Sequence, residues 1–260
     1  MIFLKLGGSL ITEKSKPESP RLDVLRRLAR EIGEALEAST DLRVLVGHGS
    51  GSFGHQAAVR HGTHRGAAGP EAWRGFADVW AAASRLNRLV VDALREAGLP
   101  SMAFPPSASA VCEAGEIREM AVEPLARALE SGLLPVVAGD VAFDRVWGSA
   151  IVSTERVFAF LASRLLPSRV LLAGIERGVY SDFPQRKEVL PSLRREDVGR
   201  IFLAGSTSTD VTGGMAGKVQ QALALAAAIS GLEVRIFSGE TPGQVREALL
   251  GGTPGTLIVP

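Results

Sequence analysis

Short apolar runs and longer amphipathic stretches alternate along this chain from end to end. Runs at residues 2–6, 43–47, 101–104, 134–138, 169–173, 233–237 and 256–259 predict strands; stretches at 22–36, 72–97, 123–131, 155–165, 215–229 and 242–249 predict helices. In the longest helical stretch Phe76, Val79, Ala83, Leu86, Val90 and Leu94 recur at helical spacing and form one apolar face. Gly98 and Pro100 then stop it. The alternation predicts an α/β fold layered around a mostly parallel sheet. Residues 141–146 and 150–153, on either side of Trp147-Gly148-Ser149, predict a small hairpin. The polar stretch 181–195 predicts an exposed loop, and residues 63–70 a mobile one. No repeat or linker divides the 260 residues, so one domain is expected.

Composition narrows the function classes. The chain is 46% hydrophobic and 22% charged with a net charge of +1, so nothing global points to nucleic acid or an anionic membrane. A single cysteine, Cys112, excludes an internal disulfide and a four-cysteine metal site and reads as a bystander thiol. The apolar N-terminal run is too short for a signal peptide and 222–229 too short for a membrane span, so a cytoplasmic protein is expected.

The candidate chemistry lies in two glycine-rich turns, each following a strand-like run: Lys5-Leu6-Gly7-Gly8-Ser9 and His48-Gly49-Ser50-Gly51-Ser52-Phe53-Gly54-His55. Glycine allows tight bends and lets N–H groups converge on an anion. With Lys5 and Lys14 beside the first turn, the pair suggests two phosphates held close together, as phosphoryl transfer requires. Gly49–Gly54 also matches G-x-G-x-x-G, yet no strand follows in 56–73, and Glu71 opens a helix where a Rossmann unit needs a strand-end carboxylate. The segment Gly213-Gly214-Met215-Ala216-Gly217-Lys218 ends in Val219, not the Ser or Thr of a Walker motif. A lysine in the first turns of a helix opposes the dipole, so Lys218 makes best sense with an anion at that end. His55 can donate to an anion gathered by its turn. His48 reads as structural, His61 and His64 as solvent-facing, and the four histidines lack a zinc spacing. Asp140 reads either as a turn cap or as a lysine or substrate anchor, and Glu155 either as dipole compensation or as the carboxylate that orients two lysines.

Together these residues resemble the amino acid kinase superfamily, and within it the isopentenyl phosphate kinases, over essentially the whole chain. Lys5-x-Gly7-Gly8-Ser9 with Ile11-Thr12-x-Lys14 looks like the family's first nucleotide-phosphate loop. The turn closing in His55 is similar to its acceptor-phosphate loop, and Leu86-Asn87, Gly139-Asp140 and the Lys218 segment follow in family order. The resemblance implies a three-layer αβα sandwich, with residues 1–166 forming the acceptor-binding lobe and 167–260 the nucleotide-binding lobe. It implies ATP-dependent phosphorylation of isopentenyl phosphate to the diphosphate, with Mg²⁺ bridging the nucleotide phosphates, and a homodimer. Lys5, Lys14, His55, Glu155 and Lys218 become the catalytic set, with Lys5, Gly7, Gly8, Ser9, Lys14, Gly174, Tyr180, Gly214 and Lys218 on ATP. Gly8, Gly49, Gly51, Ser52, Gly54, His55, Gly139 and Asp140 become the acceptor set. The backbone N–H groups of Gly7, Gly8 and residues 51–54 would gather the oxyanions. Phe76, Val79 and Ala83, with Phe143 and Ile151 in the hairpin region, would line an apolar acceptor pocket; the same stripe also reads as core. Two segments depart from the family pattern: Ser153-Thr154-Glu155 stands where Ser-Gly-Asp is common, and 174–182 lacks the usual Asp-Val-Asp-Gly. A fosfomycin-kinase-like phosphonate kinase and a non-catalytic nucleotide-binding regulator are the competing readings.

Overall fold

The computed structural model describes residues 1–63, 66–182, 185–199 and 214–260. Its strands are β1 (Ile2–Leu6), β2 (Val44–His48), β3 (Ser101–Ala103), β4 (Ala110–Glu113), β5 (Glu116–Met120), β6 (Leu134–Ala138), β7 (Asp140–Asp144), β8 (Gly148–Val152), β9 (Arg169–Gly174), β10 (Ser192–Arg194), β11 (Glu233–Ser238) and β12 (Thr256–Val259). The helices are α1 (Gly8–Ile11), α2 (Leu22–Ala38), α3 (Gly51–His61), α4 (Gly69–Glu96), α5 (Glu123–Glu130), α6 (Thr154–Leu165), α7 (Gly214–Ala228) and α8 (Gln244–Leu249). Predicted His64 and the segment before Gly214 lie outside the described residues.

Eight strands form one sheet in the order β10–β12–β11–β9–β1–β2–β6–β3, parallel except where β12 meets β11. Strand β1 lies inside the sheet and every one of its residues is buried, which is why its sequence is a continuous apolar run interrupted only by Lys5. Alternate residues face opposite layers: Leu4, Val46 and Leu171 pack with Leu28, Ile32, Leu86 and Leu249 of α2, α4 and α8. Phe3, Leu45 and Val170 pack with Leu125, Phe158 and Leu223 of α5, α6 and α7. This is the predicted three-layer αβα architecture, and a second sheet, β5–β4–β7–β8, is added to it.

Strands β7 and β8 are the predicted hairpin; β4 and β5 were not predicted. Their turn, Ala114-Gly115, has φ of +50° and +85°, and the Asp144 carboxylate accepts N–H bonds from both residues (3.2 and 2.7 Å). The alternating pattern of β5 is polar at most positions, and a turn held by a carboxylate thirty positions away has no local signature. Helix α3 also starts earlier than expected, at Gly51 rather than after Gly54. Its glycines lower helix propensity, but burial of Phe53 and Ala58 outweighs that loss. The predicted loop 181–195 contributes β10, which pairs with β12. Among the described residues no helix is long and apolar enough to cross a membrane. Cys112 is buried and its thiol does not take part in a disulfide.

Candidate active site

Parallel pairing brings the two glycine turns side by side. Leu6, the last residue of β1, is in register with His48 of β2 and Ala173 of β9, so both turns leave the sheet at its carboxyl end. There the backbones touch. A Cβ placed on Gly8 would lie 2.6 Å from Gly51 N and 2.7 Å from its Cα, and Gly51 itself has φ +50°. Only glycine fits at these two positions.

The hydrogen bonds of the turns decide which N–H groups can meet an anion. Gly7 N–H donates to Ala173 O (2.8 Å), Gly49 N–H to Leu6 O (3.1 Å), and Phe53 and Gly54 N–H both go to Ser50 O. Ser52 N–H is taken by Thr12 Oγ1 (3.0 Å), and the Ser52 hydroxyl accepts from Ser19 N–H (3.3 Å). The expected cradle of Gly7, Gly8 and residues 51–54 is therefore corrected. Gly8, Ser9 and Gly51 are the positions of that set and its neighbour whose N–H groups have no backbone partner among the described residues.

Lys5 is buried at the carboxyl end of β1, and its ammonium contacts the carboxylate of Glu155 in the first turn of α6. Ser153 caps that helix, accepting Arg156 N–H at 3.2 Å. Thr154 donates to His48 O (2.6 Å), which fixes α6 against β2. Burial alone would raise the Glu155 carboxyl, but Lys5, and after it Lys218, hold it below its ordinary value of 4.5. Glu155 lies at a helix N-terminus, and its carboxylate contacts one lysine, Lys5. Lys5, Gly7, Ser9, Glu155, Gly174 and Lys218 line one cleft, together with Glu176 and the apolar side chains of Leu10, Leu172, Ile175, Met215 and Ile236. Lys218 lies exposed in α7.

Half-buried His55 lies on α3, one turn after Gly51. Phe76 and Val79 of α4, Ala58 of α3 and Val141 of β7 form a small apolar cluster separate from the two main cores, with Ile151 packed against it. Half-exposed Phe143 stacks near Phe76 (5.1 Å) and Trp73 (5.9 Å). Ala83 is buried on the same helix and also lines a groove of about 580 Å³ between α4 and β3, with Trp80, Asn87, Met102 and Asp140. The Asp140 carboxylate accepts N–H bonds from Ser107 (3.3 Å) and Val141 (2.8 Å), the turn-cap geometry; burial raises its pKa. Gly139 N–H closes on His48 O (3.0 Å).

The chain matches the amino acid kinase family model over residues 1–238. It is 38% identical to isopentenyl phosphate kinase of Methanothermobacter thermautotrophicus, the alignment covering 96% of each chain. It is 36% identical to that of Haloferax volcanii over 99% of this chain and 98% of the other. A solved structure described as isopentenyl phosphate kinase superimposes with a TM-score of 0.83 at 34% identity, covering both chains completely. The chain belongs to the amino acid kinase family.

Within that family's fold, the sequence reading anticipated the residues at the strand ends and missed their partners. His48 is fully buried, and its neutral ring can donate from Nδ1 to Gly49 O (3.1 Å) while Nε2 accepts from Asn87 (2.9 Å). Burial pushes its pKa down to about 4, Gly49 O opposing and the Lys5 charge adding to the shift. Tyr180 is buried with its hydroxyl accepting Arg177 N–H (3.3 Å), and it does not line the cleft. Lys14 is exposed in the loop that follows α1, and His61 is exposed beside Asp78 (3.2 Å). Thr12 and Arg21 were missed. Arg21 donates to Leu10 O (3.1 Å) and pairs with Glu240, tying α1 to the end of β11. A hydroxyl residue directly after the aliphatic pair Leu10-Ile11, as Thr12 is, was the available signal.

Proposed function

We propose that this chain transfers the γ-phosphoryl group of ATP to isopentenyl phosphate, giving isopentenyl diphosphate. One observation carries the reading: the buried Lys5–Glu155 pair faces a cleft at the point where two glycine turns are in backbone contact. A phosphate monoester is already anionic at neutral pH and needs no general base. The barrier is the approach of two anions, which positive charge and oriented N–H groups lower. In this reading Lys5 and Lys218 neutralise the transferring group and Glu155 holds Lys5 in place. Gly8, Ser9 and Gly51 supply N–H groups, His55 orients the acceptor phosphate, and Lys14 approaches the nucleotide from its loop. The apolar cluster around Phe76 and Val79 favours a hydrocarbon tail over the polar body of a phosphonate such as fosfomycin.

The purine would sit among Ile175, Met215 and Ile236, with residues 1–166 serving as the acceptor lobe and 167–260 as the nucleotide lobe of one domain. The described residues hold no group of three or more potential metal ligands. Magnesium would be a companion of the nucleotide, and Glu155 and Glu176, the carboxylates that line the cleft, would be the residues to hold it. Bound there, it would supply neutralisation of the phosphate charge. A homodimer belongs to the same proposal. It is supported by the groove between α4 and edge strand β3, where Trp80 and Met102 are 46% and 44% exposed; a one-chain sedimentation mass would refute it.

The test is ADP release from Mg-ATP with isopentenyl phosphate, dimethylallyl phosphate and fosfomycin side by side. Turnover with the prenyl phosphates is expected. Turnover with fosfomycin alone would reassign the acceptor, and ATP binding without turnover of any acceptor would favour the regulator.

A further inference from the structure

The two phosphate turns meet through glycine backbones, and one backbone bond, Gly49 N–H to Leu6 O (3.1 Å), ties them where they leave the strands. One side chain adds a second tie, further along both turns. Thr12, 1% exposed, follows α1, and both its N–H (2.9 Å) and its hydroxyl (2.8 Å) donate to Gly8 O. A hydroxyl keeps acceptor lone pairs after donating. Those of Thr12 receive the N–H of Ser52 at 3.0 Å, a first-turn amide of α3 that has no partner within its own helix. A single buried oxygen thus joins the first turn, at Gly8, to the second, at Ser52. The chain beyond Thr12 then folds back over the same point: Ser19 N–H donates to Ser52 Oγ and Glu18 N–H to Ser52 O, each at 3.3 Å. The stretch so closed carries Lys14.

We propose that Thr12 is a positioning residue for phosphoryl transfer, its hydroxyl latching the donor-phosphate turn to the acceptor-phosphate turn and so setting the gap that the phosphoryl group crosses. The inference rests on the kinase reading above and deepens it. Thr12 does not touch the transferring group; it acts through Gly8 and Ser52. Because Thr12 is buried, only a replacement of the same shape removes the hydroxyl while leaving the packing around it filled. Reacting groups must lie near 3 Å apart and in line, and a misplacement of about 1 Å costs on the order of 10²-fold in rate.

Thr12→Val keeps the side-chain shape and removes both hydroxyl bonds, whereas Thr12→Ser keeps the bonds and removes a methyl group. Steady-state kinetics with isopentenyl phosphate, and calorimetric titration of Mg-ADP and of isopentenyl phosphate separately, read the outcome. In Thr12→Val, kcat is expected to fall about 10- to 100-fold while each ligand alone keeps its Kd within roughly threefold. Thr12→Ser should restore kcat to within roughly threefold of wild type. A purely structural hydroxyl would lower the melting temperature and leave kcat per folded molecule unchanged, which overturns the proposal. A loss confined to KM, or an equal loss in both variants, overturns it as well. If Thr12→Val does not fold, Thr12→Cys, close in volume to Thr12→Ser and a far weaker hydrogen-bonding group, carries the same comparison. The wild type run in parallel separates two failures: no wild-type turnover removes the kinase reading itself, whereas an active wild type with an unchanged Thr12→Val removes only the latch.

Discussion

Replacing Gly8 with alanine adds one methyl group, and the structure says where it would go. The new Cβ would lie 2.6 Å from Gly51 N and 2.7 Å from Gly51 Cα, where ordinary contact begins near 3.4 Å. Both obstacles are backbone, so no rotamer can relieve them. Gly51 is pinned in turn: its own Cβ position is already closed off by Thr12 Oγ1 at 2.3 Å and Gly8 O at 2.9 Å. The turns must therefore separate by somewhat under 1 Å, about the misplacement that costs on the order of 10²-fold in rate. That corresponds to roughly 2.7 kcal/mol of transition-state stabilisation. Overpacking costs about 1–3 kcal/mol of folding stability, enough to lower Tm by several degrees but not to unfold a domain of this size. The assay is ADP release with isopentenyl phosphate at saturating Mg-ATP, alongside thermal unfolding. Gly199→Ala, where an added Cβ meets nothing within 4 Å, is the control and should match wild type. A Gly8→Ala enzyme with kcat/KM within threefold of wild type would refute the claim that these turns form one rigid unit.

Four further outcomes are expected. Lys5→Met leaves the buried Glu155 carboxylate without its partner, so turnover should fall at least about 10²-fold, the loss typical of removing one preorganised donor; retained turnover would remove Lys5 from the site. The same pair makes stability depend on acid: Glu155 titrates below 4.5 in the fold, so its contribution is complete above that pH and is lost as pH falls further, and Glu155→Gln should flatten this limb in urea unfolding. His48 titrates near 4 in the fold against 6.5 ordinarily, so the unfolded chain binds the extra proton between those values. Stability should drop by about 3 kcal/mol from pH 7 to pH 4 on this account, and a His48 variant that folds should show a shallower slope. His55→Ala should raise KM for isopentenyl phosphate by about 10-fold or more while leaving Mg-ATP binding in place, in line with a lost charge-assisted bond of roughly 1.5–3 kcal/mol; unchanged acceptor kinetics would remove it from the acceptor site.

Where most of the strands and helices lie, that the sheet is mostly parallel, and that Lys5, the two glycine turns, Glu155 and Lys218 are candidates for one site could be read along the chain, whereas β4, β5 and β10 could not. Each rests on a local property: apolar periodicity, a glycine where the backbone must bend, a lysine where a helix begins. What had to wait for the tertiary structure was competition between partners. Lys5 meets Glu155 150 positions away, and nothing near either residue announces the other. The N–H of Gly7 is as free to bind an anion as that of Gly8 until β9 pairs with β1 and Ala173 O claims it. Ser52 reads as a substrate contact until Thr12 and Ser19 are seen to hold it, and the β4–β5 turn cannot be recognised without Asp144. A sequence lists donors and acceptors; only folding, by spending some of them on each other, leaves the few that can still bind a phosphate.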